Sequence, residues 1–368
     1  MDRRETERIL EALTLARAAG QRAAVATVVR VRGSAYRREG TRILICEAGT
    51  HECLLSGGCL EPMVTDAAAR VIATGEPVLS TYNLEEDSVW GLSIGCSGAV
   101  DIYIERVDDD PVTRAWLEVL AHGQPAVRVT ALSGGSGSLL VTEQDVVGST
   151  GNSALDAQAI AEARARLSAP TSQAGVDHVG GADLFFEISE PPPRLVIFGA
   201  GHDAQPLAQQ AWTVGFDVTV VDVREGFLAG RFPGATLVAA HFSEFADRVP
   251  LGPRSYVVIM NHHLERDRES LRFALASPAP YLGVLGPRSR FQKLLVALAN
   301  EQPPPRPASL ARVRSPVGLA LGAETPEEIA VSILAEILAI RRGFEGGFLA
   351  GREDSLHRAL SMSARARS

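Results

Sequence analysis

The sequence predicts an α/β protein in which an N-terminal α+β domain is followed by a Rossmann-like, doubly wound parallel-sheet domain. Within residues 194–222 an apolar run leads into Gly199-x-Gly201-x-x-Ala204, a helix-like segment follows, and a second apolar run ends in Asp222. That order is typical of a strand, a nucleotide-binding turn, a helix and a parallel strand. Further apolar runs alternate with helical segments downstream, as expected for a sheet that carries helices on both faces.

A stiff spacer of three prolines at 191–193 directly precedes the glycine-rich run. Proline-rich spacers separate neighbouring domains, and a chain of 368 residues is long enough for two or three of them. We therefore expect an N-terminal domain at 1–190, a Rossmann-like domain at 191–345 and a mobile tail at 346–368.

The charge of the chain argues against polyanionic partners. Lys and Arg number 36 against 44 Asp and Glu, which gives a formal net charge of −8. Such a balance attracts neither nucleic acid nor an anionic membrane. Residues 1–29 lack the apolar core of a signal peptide, and no later run approaches ~20 apolar residues, so we expect a cytoplasmic protein without a membrane partner.

Local patterns predict the elements of the first domain in order. We expect a helix, a strand, the two strands of a hairpin, a second helix and a further strand at 4–18, 23–33, 41–46, 51–57, 61–74 and 99–107. Three aspartates and Pro111 then break the pattern. Two strands around a Ser/Gly loop are expected within 125–150.

The second domain continues the alternation of strands and helices. Strands are expected at 217–221, 235–239, 255–260 and 280–285. Thr325 opens a capping box with proline at the first helical position, and isoleucines at helical spacing line one face of the helix that follows. That face predicts a docking helix, which Gly343 ends.

The glycine run carries the residue types of a nucleotide site. Gly199 would make the tight turn, Gly201 would let backbone N–H groups approach a diphosphate at the positive helix end, and Asp222 would bind a ribose diol. Arg224 could bind a 2′-phosphate or another anion instead. The alternative is a turn that needs small residues only for packing.

Two glycine-flanked cysteines stand out in the first domain. Cys59 follows Gly57 and Gly58, and Cys96 follows Gly95. If a helix begins near residue 61, Cys59 lies at its positive end, which favours the thiolate, and a thiolate can ligate a soft metal or carry sulfur. The alternative is a small buried residue in a turn, which we expect for the other two cysteines, Cys46 and Cys53. With no C-x-x-C pair, we expect thiols and not disulfides.

Polar residues at predicted strand ends form a second group of candidates. His262 and His263 follow the strand at 255–260, where open α/β sheets bind ligands, and could act as acid, base, metal ligand or phosphate donor. Gly286 and Arg288 follow the next strand and suit an anion. The arginines at 37, 38 and 42 could bind an anion or be merely solvated.

Together these motifs resemble the XdhC family of xanthine dehydrogenase accessory factors. The resemblance covers most of the chain and rests on these segments: GSAYRREGTRILI (33–45), GGCLE (57–61), GLSIGCSG (91–98), FGAGHDAQPLA (198–208), VVDVRE (220–225), MNHHLERD (260–267), YLGVLGPRSR (281–290) and SPVGLALGAETPEEIAVSILAEI (315–337). The chain departs from the family at Ser97, where glycine is frequent, and at Pro287, where serine is frequent.

The resemblance implies a chaperone that binds molybdenum cofactor, a molybdopterin, protects it during sulfuration and delivers it to a xanthine dehydrogenase-type hydroxylase. It also implies a cysteine desulfurase as sulfur donor and a homodimer, with a pocket at a domain or dimer junction. The cofactor-binding candidates are Gly57, Gly58, Cys59, Gly95, Cys96, Gly199, Gly201, His202, Asp222, Arg224, His262, Gly286 and Arg288. Cys59 is the candidate molybdenum ligand, and any catalytic role would fall to Cys59, Cys96, His262 or His263.

Two other functions are compatible with parts of the pattern. An NAD(P)-dependent oxidoreductase would use the glycine run for its cofactor and His262 or His263 for proton transfer. A redox or metal sensor would use the cysteines, but their spacing lacks a tetrahedral Cys/His set, which disfavours it.

Overall fold

The computed structural model describes residues 3–33, 35–83, 98–168, 173–301 and 304–350. The chain forms two compact units, Met1–Pro191 and Pro192–Ser368, whose boundary lies within the three-proline spacer. The predicted order of an α+β region followed by a parallel-sheet region is confirmed.

The first unit contains four helices and ten strands among its described residues. In chain order they are α1 Arg3–Ala18, β1 Ala23–Gly33, β2 Arg42–Cys46, β3 His51–Glu52, α2 Glu61–Thr74, β4 Val78–Asn83, β5 Gly98–Arg106, α3 Pro111–His122, β6 Ala126–Ala131, β7 Ser138–Val141, β8 Val146–Gly148, α4 Ser153–Ser168, β9 Gly175–Val179 and β10 Ala182–Ser189. They form two antiparallel sheets of five strands each.

The first sheet has the strand order β3-β2-β1-β5-β4 and carries a helix on each face. Along β2, Ile43 and Ile45 pack into the core formed with α2, whereas Leu44 and Cys46 pack into the core formed with α1. Successive side chains of a strand point to opposite faces, so a strand covered on both sides is apolar throughout. The candidate cysteine turn lies between β3 and α2.

The second sheet has the order β8-β7-β6-β10-β9 and is covered by α4 on one face and α3 on the other. Buried ion pairs connect it to the first sheet. Arg128 of β6 donates to both carboxylate oxygens of Glu105 of β5, at 2.7 and 2.8 Å. Arg42 of β2 pairs with Glu187 of β10.

Three sequence predictions for the first unit need correction. The strand expected at 51–57 is only His51–Glu52, because Cys53 adopts the left-handed φ of +71° that ends it. The aspartate-proline break starts helix α3, since Asp110 accepts N–H groups of the first turn and Pro111 occupies the first helical position. A third strand, β8, follows the two expected within 125–150.

The second unit is a parallel sheet with helices on both faces. Its elements are β11 Arg194–Phe198, α5 Ala204–Thr213, β12 Asp217–Asp222, α6 Glu225–Leu228, β13 Thr236–Ala239, a 3₁₀ turn Phe242–Glu244, α7 Phe245–Arg248, β14 Ser255–Ile259, α8 Leu264–Leu275, β15 Tyr281–Val284, α9 Arg288–Ala299, α10 Pro307–Leu310, β16 Val313–Arg314 and α11 Pro326–Arg342. In the parts of the chain described, we find no helix long and apolar enough to cross a membrane.

The strand order is β13-β12-β11-β14-β15-β16, so β11, the first strand of this unit, lies in the middle of the sheet. The chain adds β12 and β13 on one side of β11 and then β14, β15 and β16 on the other side. The order in which strands are added therefore reverses between β11 and β14. Ligands of open α/β sheets bind beside the carboxyl ends of strands at this reversal. A ligand of this unit is therefore expected between the loop after β11 and the loop after β14.

Helix α11 docks on this sheet as predicted. Thr325 and Glu328 form the reciprocal capping box, and Gly343 ends the helix in the left-handed conformation. Ile333 and Ile337 are fully buried in the core shared with α5.

Candidate functional site

Cys59 lies in the turn that precedes α2, which begins at Glu61 as predicted. Ser56 Oγ organises the turn, because it accepts the backbone N–H groups of Gly58, Cys59 and Leu60 at 3.2, 3.1 and 3.1 Å. The Cys59 Sγ lies 3.3 Å from the same oxygen. These contacts fix the position of the thiol while leaving it partly exposed.

The Glu61 carboxylate is buried beneath this turn. It accepts the N–H groups of Leu55 and Ser56 at 3.0 and 2.8 Å, and the Ser56 hydroxyl donates to it at 2.5 Å. Burial alone would raise the pKa of Glu61, but the hydrogen bonds outweigh it and lower that pKa below its ordinary value. Glu61 therefore places a negative charge at the end of α2, which offsets the positive field that the sequence predicted at Cys59.

A cavity of about 350 Å³ lies beside the turn, within the size range of small-molecule sites. Its lining combines apolar side chains of β1, β5 and the turn with the Cys59 thiol and one arginine. The lining residues are Val28, Ala35, Tyr36, Arg37, Leu55, Ser56, Gly57, Cys59, Leu60 and Val100.

The two glycines beside Cys59 differ in backbone conformation. Gly58 has a left-handed φ of +108°, a conformation that favours glycine. Gly57 has no such φ, and a Cβ added to it would meet no heavy atom within 4 Å. Gly57 is therefore required neither by backbone conformation nor by packing, and its missing side chain leaves room at the cavity wall.

The remaining cysteine predictions have mixed outcomes. Cys46 and Cys53 are buried in the core beneath α1, which confirms the expectation for both. Burial raises the pKa of the Cys53 thiol despite the neighbouring Arg8 guanidinium. Gly95 and Cys96 lie outside the described residues.

The arginines near Gly40 do not form an exposed cluster. Arg37 lines the cavity and pairs with Glu5 of α1. The Arg42 side chain is only 8% exposed, pairs with Glu187 and lies over the Trp116 ring at 5.3 Å. For Arg42 both alternatives, solvation and anion binding, are wrong, because distant residues fold over it.

The glycine loop after β11 has the geometry that its sequence predicts. Gly199 has a φ of +114°, and a Cβ there would lie 2.5 Å from the carbonyl oxygen of Met260 at the end of β14. Ala204 starts α5 and is fully buried. Glycine and alanine are thus needed for close backbone packing at the reversal point of the sheet.

Asp222 lies at the end of β12 but is directed inward. Its oxygens accept from the Ala200 N–H at 2.8 Å, from the Arg224 N–H at 2.9 Å, and from Arg224 Nε and Nη2 at 2.9 and 2.7 Å. Burial by itself would raise the Asp222 pKa, but these hydrogen bonds lower it. With a side chain 1% exposed and four donors, the carboxylate has no free lone pair for another group.

His262 forms a pair that the sequence did not reveal. Its Nε2 lies 2.7 Å from Oδ2 of Asp203, a residue of the glycine loop 59 positions away. The imidazole remains 61% exposed and its residue adopts a left-handed φ of +55°. Spacing could not indicate Asp203 as the partner, because only the sheet order brings the two loops together.

The other predicted residues of this crevice take different positions. His263 caps α8 by accepting the N–H of Arg266, and His202 is exposed with Gln205 beside it. Gly286 has a φ of +120°, and Arg288 begins α9 as an exposed side chain.

A buried carboxylate holds the loops after β14 and β15 together. Asp267, whose side chain is 1% exposed, accepts the Asn261 backbone N–H at 3.0 Å and side-chain amide at 3.2 Å. Its other oxygen accepts from Arg290 Nε and Nη2 at 3.1 and 2.5 Å. Asp267 thereby fixes the loop that carries His262.

These residues do not fit a nicotinamide dinucleotide bound in the usual Rossmann manner. Asp222 has no acceptor left for a ribose diol. A Cβ placed on Gly201 would lie 2.5 Å from Oδ1 of Asp203, so a carboxylate occupies the surface that a diphosphate would approach. The geometry therefore does not support the oxidoreductase alternative.

The site residues define a two-unit α/β protein with a cysteine-bearing cavity in its antiparallel unit and a glycine loop at the reversal point of its parallel unit. Among the described side chains, no group of three or more His, Cys, Asp or Glu could hold a metal ion. Within the described ranges, Cys59 is the one thiol that lines the cavity.

Known proteins are similar to this chain in both units. Residues 195–337 match the XdhC Rossmann domain and residues 16–83 match the XdhC and CoxI family. The chain is 34% identical over 331 residues to a probable xanthine dehydrogenase component of Bacillus subtilis, covering 88% of this chain and 94% of that protein. A crystal structure described as a xanthine dehydrogenase from Bacillus halodurans superposes with a TM-score of 0.74 at 31% identity, covering 94% of this chain and 98% of that chain.

A more distant relative is the molybdenum cofactor insertion chaperone PaoD of Escherichia coli, 23% identical over 328 residues, which cover 88% of this chain and 84% of that protein. The chain belongs to the XdhC and CoxI family, as the sequence motifs predicted.

Proposed function

We propose that this protein is an accessory factor that binds molybdenum cofactor, holds it during sulfuration and delivers it to a xanthine dehydrogenase-type molybdenum hydroxylase. Family membership supports this function, as do the names of its relatives, one a molybdenum cofactor insertion chaperone and another a probable component of xanthine dehydrogenase. The sulfur would come from a cysteine desulfurase.

The observation that carries the proposal is the Cys59 thiol on the wall of the 350 Å³ cavity. A thiolate is a soft ligand that suits a molybdenum centre as cargo. The Ser56 hydroxyl holds the turn by hydrogen bonds, so the sulfur is positioned before any ligand binds. Gly57 leaves the adjoining wall open, and Arg37, which is also paired with Glu5, adds guanidinium N–H donors that suit a phosphate.

Anaerobic equilibrium binding of isolated molybdenum cofactor to the full-length protein tests this assignment. We expect wild type to bind, and Cys59→Ser, which keeps the size of the side chain but removes the soft ligand, to bind at least roughly tenfold more weakly. Cys46→Ala removes a thiol buried outside the cavity and should bind like wild type at a temperature where its melting curve shows it folded. Equal affinities of wild type and Cys59→Ser would refute the thiol's role.

Delivery is tested separately, with the loaded protein, a cysteine desulfurase and a cofactor-free hydroxylase client. Wild type should raise client activity above the level reached with free cofactor, and Cys59→Ser should lower that gain. A gain that is identical for both proteins would contradict the proposed route through Cys59.

A further inference from the structure

At the end of β12 in the Rossmann unit, a ligand would meet a hydrogen-bond donor, whereas the sequence predicts an acceptor. In the sequence, Asp222 indicates a carboxylate that accepts hydrogen bonds. In the structure its four contacts with Ala200 and Arg224 leave it saturated and buried, so a ligand at this position meets the Arg224 guanidinium.

Arg224 retains donors for a ligand. It uses its backbone N–H, Nε and Nη2 on Asp222, whereas its Nη1 donates to none of the residues that the structure describes. The side chain is 36% exposed, and its guanidinium carbon lies 3.9 Å from the centre of the Phe227 ring. Asp222 and Phe227 therefore hold the guanidinium in one orientation with one edge open.

Arg231 adds a second guanidinium, and none of the described carboxylates forms an ion pair with it. Its guanidinium lies 5.5 Å from the same Phe227 ring, and Nη1 donates to the carbonyl oxygens of Ala200 and Phe227 at 3.1 and 3.3 Å. With the Gln205 amide turned so that its oxygen faces the arginine, that oxygen accepts from Nε and Nη2 at 2.9 and 2.5 Å. All of these acceptors are neutral, so the charge of Arg231 remains beside the glycine loop.

We propose that this position binds a phosphate monoester, with Arg224 as the donor and Arg231 as a second cation whose hydrogen-bond acceptors are all neutral. A phosphate monoester presents several oxygens and close to two negative charges, which match the open edge of a planar guanidinium and a second arginine without an ion-pair partner. A ribose diol finds no free acceptor on the Asp222 carboxylate. The monoester can come from a 2′-phosphorylated nucleotide or, if the proposed function holds, from the phosphate of the pterin cofactor.

2′-AMP and adenosine make the sharpest pair of probes, because they differ only in the 2′-phosphate and neither carries a diphosphate. We expect titration of the full-length protein to show 2′-AMP binding at least roughly tenfold more tightly than adenosine. Arg224→Gln, which keeps one donor for Asp222, should bring the ratio close to one. Arg231→Gln should weaken 2′-AMP binding roughly tenfold, and the exposed Lys293→Gln in the same unit should leave it unchanged.

Inorganic phosphate distinguishes the two sources. If phosphate competes with 2′-AMP at comparable affinity, the site recognises the monoester alone, and the cofactor phosphate suffices. If 2′-AMP binds and phosphate does not compete, the site recognises a 2′-phosphorylated nucleotide. Equal affinities for 2′-AMP and adenosine in wild type, or binding of none of the three probes, would overturn the proposal.

The experiment is independent of the cysteine site. Cys59→Ser should leave the ratio of 2′-AMP to adenosine affinity as in wild type, whereas Arg224→Gln retains the thiol. Loss of cofactor binding in one variant and of nucleotide discrimination in the other can therefore be assigned separately.

Discussion

Asp203 and His262 form a carboxylate–imidazole pair, with Oδ2 and Nε2 2.7 Å apart, at the point where the parallel sheet reverses direction. Asp203 occupies the N-cap position of α5 without capping it by a side-chain hydrogen bond. Its carboxylate instead bonds to His262 and lies against Gly201. The loop thus carries its own anion where other Rossmann loops receive one.

Replacing Asp203 should open this loop to a diphosphate. In Asp203→Ala the surface of Gly201 and the first N–H groups of α5 become accessible, and removal of a nearby negative charge favours an anion by roughly tenfold or more. We expect calorimetric titration with inorganic pyrophosphate to show tighter binding than for wild type. Glu345→Gln, an equal change of charge beyond α11, is the control and should not alter the affinity. Unchanged pyrophosphate binding in Asp203→Ala would show that this carboxylate does not block the loop.

Gly57 offers a test of the cavity that leaves the protein intact. Because an added Cβ meets nothing within 4 Å and φ is not left-handed, Gly57→Ala should fold with a melting temperature within about 2 °C of wild type. The methyl group would project at the cavity wall, so cofactor affinity should fall several-fold. Gly252→Ala has the same two properties in the other unit and should change neither quantity. Full cofactor binding by Gly57→Ala would remove Gly57 from the site.

Local signals were sufficient to predict much of the fold. The limits of α2 and the capping box of α11 depend on neighbours in sequence, and both were predicted correctly. Helix α4 was missed although its signal was present: Asn152 caps it, and Leu155, Ala159 and Ala163 recur at a spacing of four. Strands β9 and β10 were missed as well, so the second antiparallel sheet was not anticipated.

The candidate site was less accessible from sequence, because its contacts are long-range. The Cys59 turn was recognised from its glycines, but the buried position of Glu61 beneath it was not. Asp222 was placed at the correct strand end, yet only the folded structure shows that Arg224 and Ala200 saturate it. Such outcomes depend on side-chain directions that spacing does not determine.

The pH dependence of stability should report the buried Glu61 carboxylate. Its pKa is lowered in the folded state from the ordinary value of 4.5, so its contribution to folding is fully present above pH 4.5 and is lost as the pH falls through the folded pKa. At pH 7 we expect Glu61→Gln to lower the free energy of unfolding by about 1–2 kcal/mol. Below pH 4.5 the difference from wild type should shrink. Urea unfolding from pH 7 to pH 3 measures both, with the exposed Glu11→Gln as control; a difference independent of pH would exclude an ionised Glu61.

Removal of one partner of the Arg42–Glu187 ion pair should lower the stability of the fold strongly, whereas apolar replacement of both partners should lower it little. Both side chains are less than 10% exposed, at 8% and 6%, so Glu187→Gln leaves a buried guanidinium without its counter-charge. Removal of one partner of such a pair typically costs about 3–5 kcal/mol, whereas apolar replacement of both is often neutral. We therefore expect thermal unfolding to show a large loss of stability for Glu187→Gln and most of it regained in Arg42→Met/Glu187→Leu. A double variant as unstable as the single one would indicate that the charges themselves hold the two antiparallel sheets together.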